Sequence, residues 1–205
     1  MNEYDDNERH GTTIVGILTE NGVVIGSDRK TSTFISTSRK DSLKIKSINS
    51  QTLLSWAGAV SDAQNIHSEL STKANIYEAR REREMSVKAI VNSLHSHLRE
   101  EHMHVSPIIG GFDENGPQLY DIGVFGTKSQ MSNYATAGSG GNFAMGVLEA
   151  GYRPDLTIKE AKELAKKAIK AATERDNFTG NGFTIGEATK DGVNIETYSE
   201  IPEEI

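Results

Sequence analysis

The apolar residues of this chain change period four times, and that order constrains the fold more than any other feature of its 205 residues. Alternating, β-branched runs come first, at residues 12–18 and 23–28. They are joined by Thr19-Glu20-Asn21-Gly22, whose Asn-Gly pair marks a tight hairpin. Residues 45–48 and 52–59 predict two further strands. The spacing then becomes helical. Ser61 is placed to cap a helix through Ala63, Ile66, Leu70 and Ala74 toward Glu84; Val87, Ile90, Leu94 and Leu98 line a second. Strands return at residues 107–112, 118–120 and 129–137, and residues 142–150 predict a short helix. Thr157 and Glu160 form a Thr-x-x-Glu capping box that opens a long helix, its stripe running from Ile158 through Leu164 and Ile169 to Ala172 and ending near Arg175. Two closing strands, at residues 183–188 and 193–197, are split by Asp191-Gly192.

Helices grouped in pairs do not fit alternating βαβ units around a parallel sheet. Two antiparallel sheets packed face to face, with a helix pair outside each, would bury every apolar face. The expected class is therefore α+β, a four-layer αββα sandwich. No repeat or linker interrupts it, and a mass of 22.4 kDa suits one domain with a sizeable core. Residues 1–10 are acidic and polar without periodicity, which predicts a disordered leader with order beginning at Gly11.

Composition removes several functions. A net charge of −7 argues against a nucleic-acid surface. No apolar run approaches the roughly 18 residues that span a bilayer, and the leader lacks a secretory core, so a cytoplasmic protein without membrane association is expected. The absence of Cys excludes disulfides, thiolate ligands and a cysteine nucleophile. His95, His97, His102 and His104 cluster, but i and i+2 positions diverge on a helix, so solvated histidines are expected there rather than a metal site. Ser139, in Ala137-Gly138-Ser139-Gly140-Gly141, resembles a nucleophile elbow, yet every histidine lies at or before His104, where such enzymes need one afterwards. The same glycines lack the third Gly of a dinucleotide fingerprint and the Gly-Lys-Ser/Thr of a phosphate loop. No cofactor is implied.

One constellation survives. Gly11-Thr12-Thr13-Ile14-Val15-Gly16-Ile17 stands between the leader and the first strand. It is followed by Gly26-Ser27-Asp28-Arg29, Leu43-Lys44-Ile45, Ala57-Gly58-Ala59-Val60-Ser61-Asp62, Gly138-Ser139-Gly140 and Arg175-Asp176-Asn177-Phe178-Thr179-Gly180. In this order and spacing the sequence resembles the proteasome β subunits, N-terminal-nucleophile threonine peptidases, over residues 11–198. The resemblance implies a precursor cut between Gly11 and Thr12, with residues 1–11 as propeptide and residues 12–205 as the working domain. It implies Thr12 as nucleophile, Asp28 and Lys44 as its charged support, and Ser139, Asp176 and Thr179 as a network around the freed amine. The backbone N–H of Gly58 would hold the oxyanion.

The residue types suit that chemistry. A threonine hydroxyl needs a neighbouring base, and a free α-amine, with a pKa of about 8 against about 10.4 for lysine, is the better one at neutral pH. Lys44 then serves as an electrostatic partner, and Asp28 keeps it charged. Gly11 offers no Cβ to obstruct attack on its own carbonyl.

Four positions depart from the family pattern: Thr179 replaces a usual Ser, keeping the hydroxyl, Ile14 replaces a frequent third Thr, and Lys46 and Trp56 are the more consequential two. By the same resemblance Thr31, Lys46, Trp56 and Val60 line the pocket for the residue before the cut bond. Trp56 would narrow it and Lys46 would favour an acidic side chain. The implied assembly is a homo-heptameric β ring, two such rings stacked, capped by α subunits and fed unfolded proteins by an ATPase unfoldase. A simpler bacterial proteasome-like peptidase shares Thr12-Thr13-Ile14-Val15 and Gly138-Ser139-Gly140-Gly141-Asn142. It generally lacks both a leader and the 175–180 motif, which favours the proteasome group of archaeal or actinobacterial type. A non-catalytic ring subunit would keep the fold but would not require Asp28 with Lys44. A small-amide hydrolase of the same nucleophile logic would usually begin with Cys or Ser.

Overall fold

The computed structural model describes residues 11–32, 37–39, 41–101 and 103–200; the expected disordered leader, residues 1–10, lies outside them. An antiparallel hairpin of β1 (Ile14–Thr19) and β2 (Gly22–Asp28) opens the fold, reversing at Glu20-Asn21 as the Asn-Gly pair predicts. A short ribbon of β3 (Thr31–Ser32) and β4 (Thr37–Arg39) leads to β5 (Ile45–Asn49) and β6 (Thr52–Gly58). Helices α1 (Val60–Arg81) and α2 (Val87–Glu100) follow. Then come β7 (Val105–Asp113), β8 (Gly116–Ile122), β9 (Lys128–Met131) and β10 (Tyr134–Ala137). The chain closes with α3 (Gly141–Gly151), α4 (Ile158–Thr173), β11 (Phe183–Thr189) and β12 (Gly192–Tyr198).

These strands build two five-stranded antiparallel sheets, ordered β10-β1-β2-β11-β12 and β5-β6-β7-β8-β9. Strand alternation decides what each face meets. Val15, Ile17, Val24 and Ile185 of the first sheet pack on Leu148, Ala165 and Ile169 of α3 and α4. Leu54, Trp56 and Ile109 of the second pack on Ile66, Leu70, Ile90 and Leu94 of α1 and α2. The opposite faces meet in the middle, where Ile14, Val23 and Ile25 face Ile45, Leu53, Ile108 and Leu119. Each such fully buried aliphatic side chain contributes about 1.5–3 kcal/mol. Small residues bring the sheets close: a Cβ on Gly110 would stand 2.6 Å from Val23 Cγ1. The α+β, four-layer αββα sandwich expected from the sequence is the architecture observed.

Three local expectations change. The run at residues 129–137 is two strands, β9 and β10, which belong to different sheets. Between them Asn133 turns the chain: its carbonyl accepts the Leu18 N–H at 2.7 Å and its side chain the Tyr134 N–H at 2.8 Å. Ser61 is not the cap of α1. The helix starts two residues earlier than a Ser61 cap would place it, Ala59 stands at its N-cap without a side-chain bond, and the Ala59 N–H goes to the His104 carbonyl. The helix also stops at Arg81, short of Glu84, with Glu82 in the left-handed region.

The Thr157–Glu160 capping box is present with both of its bonds. Hydrogen bonds from the Thr157 N–H and hydroxyl hold the Glu160 carboxyl below its ordinary value. A carboxylate with a depressed folded pKa stabilises the fold above its unfolded value and loses that contribution as pH falls through the folded one. Glu160→Gln should therefore lower the urea midpoint at pH 7, by an amount that shrinks as the solution is acidified below the ordinary carboxylate range. A difference that grows on acidification would contradict this assignment.

Candidate active site

The site begins where β1 starts and β2 ends. Their register places Asp28 beside Thr13, with the Asp28 N–H donating to the Thr13 carbonyl at 3.1 Å. The Asp28 side chain has no exposure, so its charge must be met by protein groups. Oδ1 accepts the Thr13 N–H at 3.0 Å and the Lys44 ammonium at 2.7 Å. Oδ2 accepts the Lys30 N–H at 3.0 Å and the Gly180 N–H at 3.2 Å. Burial pushes the Asp28 carboxyl up, against the downward pull of Lys44 and of the Thr13 and Gly180 N–H groups. All four contacts are donors, so a proton on Asp28 would face other hydrogens. The geometry accepts the carboxylate.

Lys44 sits just before β5, 4% exposed, and also donates to the Lys30 carbonyl. Burial pushes its ammonium below the ordinary lysine range, while Asp28 and, more weakly, Asp176 pull it back up. The ion pair is thus a desolvated one whose two charges each depend on the other.

A second network surrounds Thr12. The Thr12 hydroxyl donates to the Gly11 carbonyl oxygen at 2.8 Å, and the Thr12 N–H donates to Ser139 Oγ at 3.3 Å. Ser139 stands in the glycine turn between β10 and α3, and its proton goes to Asp176 Oδ2 at 2.6 Å. The same carboxylate oxygen accepts the Thr179 hydroxyl at 2.5 Å. Because Thr179 has committed its proton there, the 2.7 Å contact between the Thr13 and Thr179 hydroxyls has one direction: Thr13 donates. Asp176 is fixed from behind by α4, whose Ala172 carbonyl accepts its N–H at 2.7 Å. The two networks therefore meet at Thr13, which gives its N–H to Asp28 and its hydroxyl to Thr179.

The sequence profile of proteasome subunits matches residues 8–188 of this chain. The chain belongs to the proteasome subunit family. It is 42% identical to a proteasome subunit beta of Haloferax volcanii over 195 residues, which is 95% of this chain and 80% of that protein. A proteasome subunit beta of Methanobrevibacter smithii is 39% identical over 188 residues, 92% of each chain. A proteasome subunit beta 2 of Nitrosopumilus maritimus is 36% identical over 199 residues, 96% of this chain and 94% of that protein.

Of the positions singled out by the family resemblance, the structure joins Thr12, Ser139, Asp176 and Thr179 by hydrogen bonds, and Asp28 to Lys44. Gly58 ends β6 with φ at +114°, a conformation L side chains rarely adopt, and a Cβ there would lie 2.1 Å from the His104 carbonyl oxygen. Its predecessor Ala57 lies against Gly138, which in turn abuts the Thr12 carbonyl. Lys46 and Trp56 occupy neighbouring strands on the face toward α1: Lys46 pairs with Leu54 and is half-buried, and Trp56 packs among Ile48, Leu54, Ala63 and Ile66. Val60 is the first residue of α1, and Thr31 is buried in β3.

Sequence reasoning missed Thr13 and Lys30. Thr13 had a signal, a second hydroxyl directly after the first; Lys30 contributes backbone atoms, which leave no trace in residue type. The expected solvated histidines are partly corrected. His95 bonds the Gly126 carbonyl at 2.5 Å, and His97 lies 2.9 Å from Glu69 with its side chain 14% exposed. His102 lies outside the described residues.

Lys44→Met removes one half of a buried pair, and the loss expected is about 3 kcal/mol, read from urea unfolding. Adding Asp28→Asn should recover much of it, because the stranded charge goes too. Equal destabilisation in the single and double variants would refute this reading of the pair.

Proposed function

We propose that this chain is the catalytic β-type subunit of a proteasome, a threonine endopeptidase that degrades unfolded proteins and is activated by cutting itself between Gly11 and Thr12. The observation that carries the reading is the 2.8 Å contact of the Thr12 hydroxyl with the carbonyl oxygen of the residue before it. The nitrogen of the same residue faces Ser139. Hydroxyl and nitrogen are thus both held at one residue.

In the self-cleavage, Thr12 Oγ bonds to the Gly11 carbonyl carbon and the C–N bond between the two residues breaks. The hydroxyl proton ends on the departing nitrogen, leaving residues 1–11 as an ester on Thr12. Water hydrolyses the ester, giving a Gly11 carboxylate and restoring the hydroxyl. The new α-amine, with an ordinary pKa of about 8, then takes the hydroxyl proton in each peptide cleavage and hands it to the leaving nitrogen. Water resolves the acyl-enzyme. Ser139, Asp176 and Thr179 orient the amine, with Thr13 behind them. Lys44, its charge sustained by Asp28, supplies fixed positive charge near the nucleophile, and the Gly58 N–H serves the oxyanion.

Residues 1–11 are the propeptide in this reading and residues 12–205 the working domain. The subunit would stack as homo-heptameric rings in the cytoplasm, between α subunits and an ATPase unfoldase. The names of its relatives support the ring partners, and no helix among the described residues is long and apolar enough to cross a membrane. Thr31, Lys46, Trp56 and Val60 form the pocket before the cut bond.

Two outcomes test this. When the chain is co-expressed with a proteasome α subunit, intact mass should show loss of residues 1–11 together with gain of peptidase activity. Thr12→Ala should abolish both, and activity surviving in that variant would reject the assignment. A purely structural ring subunit would show neither event in the wild type. Fluorogenic peptides ending in Glu or Ala should be cleaved faster than those ending in Phe or Tyr; the reverse order would overturn the pocket assignment.

A further inference from the structure

The Gly11–Phe178 contact is tighter than any residue with a side chain at position 11 could survive. Gly11 is buried, and a Cβ built on it would stand 1.8 Å from Phe178 Cβ, 2.5 Å from Phe178 Cγ and 3.1 Å from Phe178 Cα. Contacts below 3.0 Å essentially never occur for real Cβ atoms, and the first of these is to a Cβ fixed on the main chain. A rotamer change of the Phe178 ring would not relieve it.

The position of Phe178 is itself set by the site. Its N–H donates to Asp176 Oδ1 at 3.2 Å, and the next N–H, of Thr179, donates to the Asp176 carbonyl at 3.1 Å. The turn that presses on Gly11 is thus the turn whose carboxylate takes the protons of Ser139 and Thr179. One rigid segment touches both sides of the Gly11–Thr12 bond, the nitrogen side through Ser139 and the carbonyl side through Phe178.

We propose that the Phe178 Cβ is what restricts position 11 to glycine for the self-cleavage: only a residue without a side chain fits there with its carbonyl against the Thr12 hydroxyl. The proposal rests on the cleavage reading above. Phe178 would act by steric exclusion alone, taking no proton and forming no bond; a side chain at position 11 would push its own carbonyl off the Thr12 hydroxyl. A carbonyl shifted by about 1 Å costs on the order of a hundredfold in rate.

The test is a rescue, read by intact mass as the rate of precursor conversion in the chain assembled with an α subunit. Gly11→Ala should slow conversion by roughly a hundredfold. Gly11→Ala combined with Phe178→Gly should recover most of that loss, because the blocking Cβ is gone. Combined with Phe178→Ala, which keeps the Cβ, it should recover none. In a chain released from a cleavable fusion with Thr12 already first, Phe178→Gly should leave peptide turnover within about threefold of wild type. Absence of rescue by glycine, equal rescue by alanine, or a large loss in the pre-cut chain would overturn the proposal. Should Phe178→Gly fail to assemble, Phe178→Ala decides alone: with glycine at 11 it should convert near the wild-type rate, and with alanine at 11 it should stay slow. Thr12→Ala run alongside separates the two levels. Conversion in that variant would sink the self-cleavage itself, whereas an inert Thr12→Ala without rescue in the pair would sink the role of Phe178 alone.

Discussion

The Asp28 carboxylate is the constraint around which the site is arranged. It is fully buried, and an ionised group removed from water must find its partners in the protein. Its four donors come from four separate places along the chain: Thr13 at the head of β1, Lys30 after β2, Lys44 before β5, and Gly180 after α4. Satisfying one charge therefore fixes the relative positions of segments that would otherwise be loop ends. The sandwich supplies the frame, since β1 and β2 pair in a register that puts Asp28 beside Thr13.

From that anchor the chemistry divides. On one side is a buried cation, Lys44, whose charge Asp28 sustains. On the other is a chain of hydroxyls, Thr13 to Thr179 and Ser139 to Asp176, that ends at the Thr12 nitrogen. Thr13 belongs to both. Low local polarity strengthens such chains and penalises any member left unpaired, so the arrangement is held as a unit. In the proposed cycle the same nitrogen first leaves the peptide bond and then works as the base, so the network that orients it needs no rebuilding between activation and turnover.

Much of this was legible in the residues. The hairpin at Asn21-Gly22 and the capping box at Thr157 and Glu160 are local devices, and local devices survive in the sequence. The pairing of Asp28 with Lys44 came through a family resemblance; neither residue carries a local signal. What stayed hidden was tertiary. Residues 129–137 hold no Gly or Pro to mark a break, yet β9 and β10 part at Ser132-Asn133, because which sheet receives a strand is decided by partners far away. Ser61 has the right chemistry for a cap, but the Ala59 N–H is drawn to the His104 carbonyl and starts the helix sooner. Lys30 contributes its amide and carbonyl, which every residue possesses. Phe178 gave no hint of its contact with Gly11, since close approach between distant segments has no sequence pattern of its own.

The central claim is that the amine and hydroxyl of one threonine act together, and the most direct measurement is of the amine by itself. Once residues 1–11 are gone, the Thr12 amine can be acetylated selectively and the occupancy followed by intact mass. The account predicts that peptide turnover falls in proportion to acetylation, since an amide nitrogen cannot take the hydroxyl proton. Fully acetylated subunits turning over peptide at the unmodified rate would contradict it.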